Sequence, residues 1–94
     1  MARPVMTPEQ RQSARGALNL DGRRRMSEGN RRTAQVDSMG HDMWREMVAN
    51  GWAVEVETYP TMLTLFRLTR SGAEAVLAPG ETLNPADFPP IGAH

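Results

Sequence analysis

Residues 38–76 read SMGHDMWREMVANGWAVEVETYPTMLTLFRLTRSGAEAV, and the period of their apolar residues changes twice along the stretch. Val36, Met39, Met43, Met47 and Val48 recur at steps of three and four, which predicts a helix with one apolar side. Asp37 or Ser38 can cap its start, because short polar side chains accept from free amides. Asn50 and Gly51 tolerate a left-handed backbone and predict its end. From Trp52 the period is two, with Trp52, Val54 and Val56 on one side and Ala53, Glu55 and Glu57 on the other, as in a half-buried strand. Thr58-Tyr59-Pro60-Thr61 predicts the turn. The return strand places Met62, Thr64, Phe66 and Leu68 on one face and Leu63, Leu65 and Arg67 on the other. Both faces are apolar enough that the N-terminal segment or a partner chain is expected to cover the outer one. Thr69 then caps a short helix carrying Ala73, Val76 and Leu77, ending near Pro79-Gly80.

Two parts of this stretch carry a resemblance. Met47-Val48-Ala49-Asn50-Gly51-Trp52-Ala53 is similar to the end of a recognition helix in winged helix-turn-helix domains, of the type Leu-x-x-x-Gly-Leu-Val. Phe66-Arg67-Leu68-Thr69-Arg70-Ser71-Gly72 is similar to the Tyr-x-Leu-Thr-x-x-Gly pattern that follows the wing. The order and separation also match, over roughly the central forty residues, and the chain resembles MarR-type and PadR-type transcriptional regulators most. The resemblance implies an α+β fold: a small winged helix with a three-helix core and a two-stranded β-hairpin wing. It also implies duplex DNA as the partner and a second helix of the motif between Ser27 and Val36.

Ninety-four residues make one domain with a modest core, too small for a large catalytic cleft. The absence of cysteine excludes zinc ribbons, redox pairs and disulfides. No apolar run approaches the roughly 20 residues that span a bilayer, and the start lacks the apolar core of a signal peptide, so a cytoplasmic protein is expected. Net charge is zero, but the charges are sorted. Through Arg32 eight arginines face three acids, and from Thr33 onward three arginines face eight acids, so +5 is followed by −5. No cation is lysine, a usage that fits a GC-rich genome as well as phosphate recognition.

The domain is expected over 7–78, between a loose arm at 1–6 and an extended proline-rich C-terminal arm at 79–94. Thr7-Pro8-Glu9-Gln10 predicts a helix start with a threonine cap, proline in the first turn and a glutamine to close a capping box. That helix is expected to run to about Leu20, with Asp21-Gly22 ending it. The arm contains Pro79, Pro85, Pro89 and Pro90, and its Leu83, Phe88 and Ile91 could pack across the domain or across a neighbour.

Ser38, His41 and Asp42 are residue types of a catalytic triad, but they crowd into one helical turn with no oxyanion donor, and an enzyme is not expected. His41, Asp42 and Glu46 make a poor metal shell. No cofactor is expected. With Met39, Met43 and Met47 inward, helical geometry turns His41, Asp42, Arg45, Glu46 and Ala49 outward. The residues expected to bind DNA are Arg45 and His41 on the helix, Arg23, Arg24, Arg25, Arg31 and Arg32 toward phosphates, and Arg67. The alternative for that arginine run is a solvated, flexible loop. Trp44 and Trp52 read as core. The leading expectation is a small bacterial or phage DNA-binding regulator, with a homodimer giving half-site symmetry. The alternative is a protein-interaction module on the same scaffold, an inhibitor or adaptor of a host nucleic-acid machine. It would use the acidic face of Asp37, Asp42, Glu46, Glu55 and Glu57.

Overall fold

The computed structural model describes residues 4–20 and 23–89. The elements in chain order are α1 (Pro8–Ala17), β1 (Arg32–Gln35), α2 (Met39–Ala49), β2 (Ala53–Thr58), β3 (Leu63–Leu68) and α3 (Arg70–Glu74). The fold is α+β: three helices and one antiparallel sheet in the order β1-β3-β2. Helix α1 starts as its sequence predicts. Gln10 N–H donates to Thr7 Oγ1 at 3.1 Å and Thr7 N–H donates to Gln10 Oε1 at 2.9 Å, a closed capping box. The helix ends earlier than expected, at Ala17. Asn19 takes φ +57°, and the amides of Asn19 and Leu20 return to the carbonyls of Gly16 and Arg15. Asparagine thus closes this helix as glycine often does, and Asp21-Gly22 lies outside the described residues.

The second helix expected between Ser27 and Val36 is not formed; strand β1 occupies that place. Gly29 at φ +80° interrupts any helix there, and Met26, Ala34 and Val36 supply too little apolar stripe to hold one. The segment instead pairs with β3, Arg32 opposite Phe66 through Gln35 opposite Leu63, so the expected two-stranded wing is part of a three-stranded sheet. Where β1 runs out, a side chain continues its work. Asn30 donates to the Leu68 carbonyl at 2.9 Å and accepts the Leu68 N–H at 2.8 Å, imitating a strand partner.

Helix α2 is rotated from the methionine-lined face that its periodicity suggested. His41, Trp44 and Met47 are buried, Met43 and Val48 pack against them, and Met39 is 89% exposed. Trp44 has the most apolar surface to remove from water and sets the phase. Its ring stacks on Phe66 at 5.7 Å, and its indole N–H donates to Ser13 Oγ of α1 at 2.9 Å. The helix ends as Asn50-Gly51 predicts: Gly51 has φ +79°, Gly51 N–H returns to Val48 and Trp52 N–H to Met47.

Strand β2 also turns differently from its alternation. Ala53 is buried opposite Leu68, while Val54 and Val56 are 46% and 44% exposed. Ala53 lies where α2 and the sheet come closest and the larger valines turn away, and an irregularity between Glu55 and Glu57 shifts the register by one. The turn follows the predicted place, with Pro60 inside it. Met62 N–H reaches Tyr59 O and Tyr59 N–H reaches Leu63 O, and Met62 takes φ +65°, where glycine or asparagine is the cheaper residue by about 1 kcal/mol.

The N-terminal segment lies closer to the body than expected, and the C-terminal segment packs across the domain, one of the two places open to it. Met6 is buried in the core. The segment after Pro79 comes back as well: Thr82 exchanges backbone hydrogen bonds with Arg25 and Ser27, and Phe88 is buried. Residues 90–94 lie outside the described residues. No described helix is long and apolar enough to cross a membrane.

One glycine explains the spacing after Thr69. Thr69 caps α3, accepting Gly72 N–H on its hydroxyl and donating its own N–H to the Trp52 carbonyl at 2.9 Å. A Cβ on Gly72 would lie 2.0 Å from that same carbonyl oxygen. Gly72→Ala therefore forces α3 off the end of the hairpin, and urea unfolding is expected to show a loss of about 2 kcal/mol or more.

Candidate functional site

The eight residues expected to meet DNA do not all converge: Arg24 and Arg32 both border Gly16, and Arg31 and Arg67 line another pocket. His41 is buried rather than outward: its Nε2 shares a hydrogen bond of 2.9 Å with Thr64 Oγ1, which is also 2.9 Å from Thr58 Oγ1, and its ring edge meets Phe66. From that position it cannot touch a groove edge. Its neighbour Ser38 caps α2, accepting His41 N–H and donating to the Gln35 carbonyl. Ser38 and His41 thus have separate structural partners and form no relay.

Arg45 is exposed on α2, but Asp42 and Glu46 on the same helix are exposed as well. Arg23 and Arg24 sit on the loop before β1, with Arg24 in an i,i+4 ion pair with Glu28 at 2.7 Å. Arg25 belongs to the tail junction: its carbonyl accepts Thr82 N–H and its guanidinium lies beside Gly80. Arg32 leans against Gly16, in an open groove of about 1100 Å³ whose apolar lining is Met6, Leu20 and Met43.

Two of the expected cations do meet. With Arg32 opposite Phe66 in an antiparallel pair, Arg31 falls opposite Arg67. Both line a pocket of about 340 Å³ with Gly29, Asn30, Ala86 and Asp87. Among the described residues neither arginine is in an ion pair, and Asp87 accepts Gly29 N–H at 3.0 Å. Asp87 in the same pocket sets a carboxylate against the two guanidinium groups.

Exposed acids stand on α2 and β2. Asp42 and Glu46 on α2 and Glu55 and Glu57 on β2 are all exposed, and with them stand the exposed apolar residues Val54, Val56 and Met62. Alternation in the sequence pointed the valines inward, and only the register of β2 against β3 reveals them outside. Among the described residues no group of three acids or histidines could hold a metal ion.

One ion pair that the sequence gave no reason to single out anchors the tail. Arg15 on α1 makes a two-pronged contact with Glu81 at 2.7 and 2.8 Å and also donates to the Val76 carbonyl. The Arg15 guanidinium, aided by the Ala78 amide, pulls the Glu81 carboxyl from its ordinary 4.5 down to about 2. In the unfolded chain the carboxyl takes up its proton first, so the contact stabilises the fold above about 4.5 and is lost as pH falls toward 2. Glu81→Gln is expected to lose less stability than the parent between those pH values, measured by urea unfolding across an acid series. Comparison with protein-family models, curated proteins and solved structures finds no match for this chain.

Proposed function

We propose that this chain is a protein-interaction module, an adaptor or inhibitor that meets its partner through the face made by α2 and the β2–β3 hairpin. The observation that carries the reading is the sign of the exposed charge on these elements: Asp42 and Glu46 on α2 and Glu55 and Glu57 on β2 are exposed, and α2 offers only Arg45 against them. Duplex DNA presents one negative charge for each ~1.7 Å of its axis and is repelled by such a surface. A partner protein with basic side chains is attracted to such charge. Support also comes from the chain between β1 and α2, which leaves three residues and no room for the first helix of a helix-turn-helix.

A second reading keeps the winged-helix regulator, a DNA-binding transcriptional regulator of bacterial or phage type acting as a dimer. It is favoured by the path from α2 into the hairpin and on to a Thr69-capped helix, by the β1-β3-β2 order, and by Arg31 lying opposite Arg67. Arg31, Arg67 and Arg45 would then make the phosphate contacts.

Fluorescence anisotropy with a labelled nonspecific duplex separates the two, with a sizing column run beside it. The interaction reading expects negligible binding at low and moderate salt. A regulator instead binds and loses affinity steeply between roughly 50 and 200 mM salt. Arg31→Gln with Arg67→Gln, or removal of two of Arg23 to Arg25, would then weaken binding to all sequences alike. That second outcome would overturn the interaction reading.

A further inference from the structure

We infer that the open groove beside α1 takes a segment of a partner protein in which an apolar side chain stands near a carboxylate. The inference goes beyond the reading of the acids on α2 and β2 and does not rest on it. The groove, of about 1100 Å³, draws its apolar lining from three parts of the chain: Met6 before α1, Leu20 after it, and Met43 of α2. Met6 and Leu20 are buried and show only an edge, whereas Met43 is half-buried. That is contact for one apolar side chain rather than for a long acyl chain. Methionine is unbranched and polarisable and fits side chains of different shape, which suits a protein segment. Beyond Gly16 and Leu20 a second space, of about 470 Å³, adjoins the groove and is bordered by Arg24 and Glu28.

The cations along this groove are unequally satisfied. Arg15 is held by Glu81 and the Val76 carbonyl, and Arg24 by Glu28. Arg11 donates to the Ala75 carbonyl at 2.8 Å but has no carboxylate partner among the described residues. Arg32 has no hydrogen bond or ion pair among them at all. Its guanidinium nevertheless lies against α1, since a Cβ on Gly16 would be 3.4 Å from its Nη1 and would meet no other atom within 4 Å beyond its own helix backbone. Glycine in a helix holds the fold less firmly than alanine does. Here its missing side chain leaves Arg32 the room to lie along the groove.

Charge complementarity names the occupant. Glu9 is the one carboxylate among the groove's lining residues, and it is in no ion pair among the described residues. With Arg15 taken by Glu81, Arg11 and Arg32 outweigh Glu9 and leave the groove cationic. The planar fork of Arg32 matches a carboxylate with two parallel hydrogen bonds. A neighbouring apolar side chain on the same segment seats against Met43. A cationic segment would set its charge against both guanidiniums.

The test titrates the full chain with short capped peptides that carry one leucine and one glutamate at several separations in a glycine-serine background. Two control sets replace the glutamate by glutamine or the leucine by serine. Amide chemical-shift mapping reads both place and affinity. The leucine-glutamate set is expected to shift the amides of residues 11–20, 32 and 43, and its best member to bind about threefold or more tightly than either control. In Arg32→Gln the glutamate and glutamine peptides are expected to bind alike, the coupling that a double-mutant cycle isolates. An arginine with a structural role alone would weaken both equally. Gly16→Met puts a side chain into the groove from an exposed helix position, and is expected to abolish the shifts without lowering the melting temperature. Equal affinity of the parent chain for glutamate and glutamine peptides would overturn the inference, and so would shifts outside the groove or none at millimolar peptide. Shifts of the groove amides on concentrating the chain alone would overturn it in favour of a second copy. Dodecanoate bound there while every peptide stays silent would overturn it in favour of a free amphiphile. Each of these results leaves the reading of the acidic elements standing, because the duplex experiment tests that reading separately.

Discussion

The contact between Trp44 and Phe66 holds the rest of this molecule in place. Phe66 is fully buried at the centre of β3, the middle strand, and Trp44 is the largest side chain of α2. Stacking one on the other presses α2 onto the sheet, and the hydrogen bond from the Trp44 indole to Ser13 ties α1 to the same point. An aromatic pair of this kind contributes about 0.5–1.5 kcal/mol beyond the area it buries. In a small domain, where the whole margin of stability is modest, that is enough to set the orientation of a helix. His41 follows one turn before Trp44 and is carried inward with it. Met39 is carried outward.

The same rotation decides the chemistry of the surface. With Trp44 inward, α2 presents Asp42, Arg45 and Glu46 to solvent, and β2 separately exposes Glu55 and Glu57. The basic front of the chain is partly regathered in space: Arg11, Arg15 and Arg32 line the groove beside α1, Arg15 and Arg24 line the space next to it, and Arg31 lines a separate pocket with Arg67.

Much of the local structure was legible in advance because its causes are local. The capping box at Thr7, the helix end at Asn50-Gly51, the turn at Tyr59-Pro60 and the cap at Thr69 are each set by residues within a few positions of one another. The two faces of β3 were legible as alternating sets, Thr64, Phe66 and Leu68 on one and Leu63 and Leu65 on the other, although both are apolar and Leu65 is buried as well. Strand β1 was not. Arg32 to Gln35 has no strong preference of its own and becomes a strand because the middle strand has a second edge to satisfy, a partner some thirty residues away. The outward turn of Val54 was hidden for the same reason: its face is fixed by the register with Arg67, and a change of one residue reverses it.

The amino-acid sequence by itself determined where each of the three helices starts, where α2 ends and the hairpin turns, and that no cysteine chemistry is available. Tertiary structure alone decided which side of α2 is buried, that a third strand joins the hairpin, and that Arg15 reaches Glu81 across the chain. The division has a physical cause. Caps and turns are satisfied by neighbours in sequence, whereas burial, register and electrostatic neighbourhood depend on what the rest of the chain brings alongside, and on the large side chains that compete for one small core.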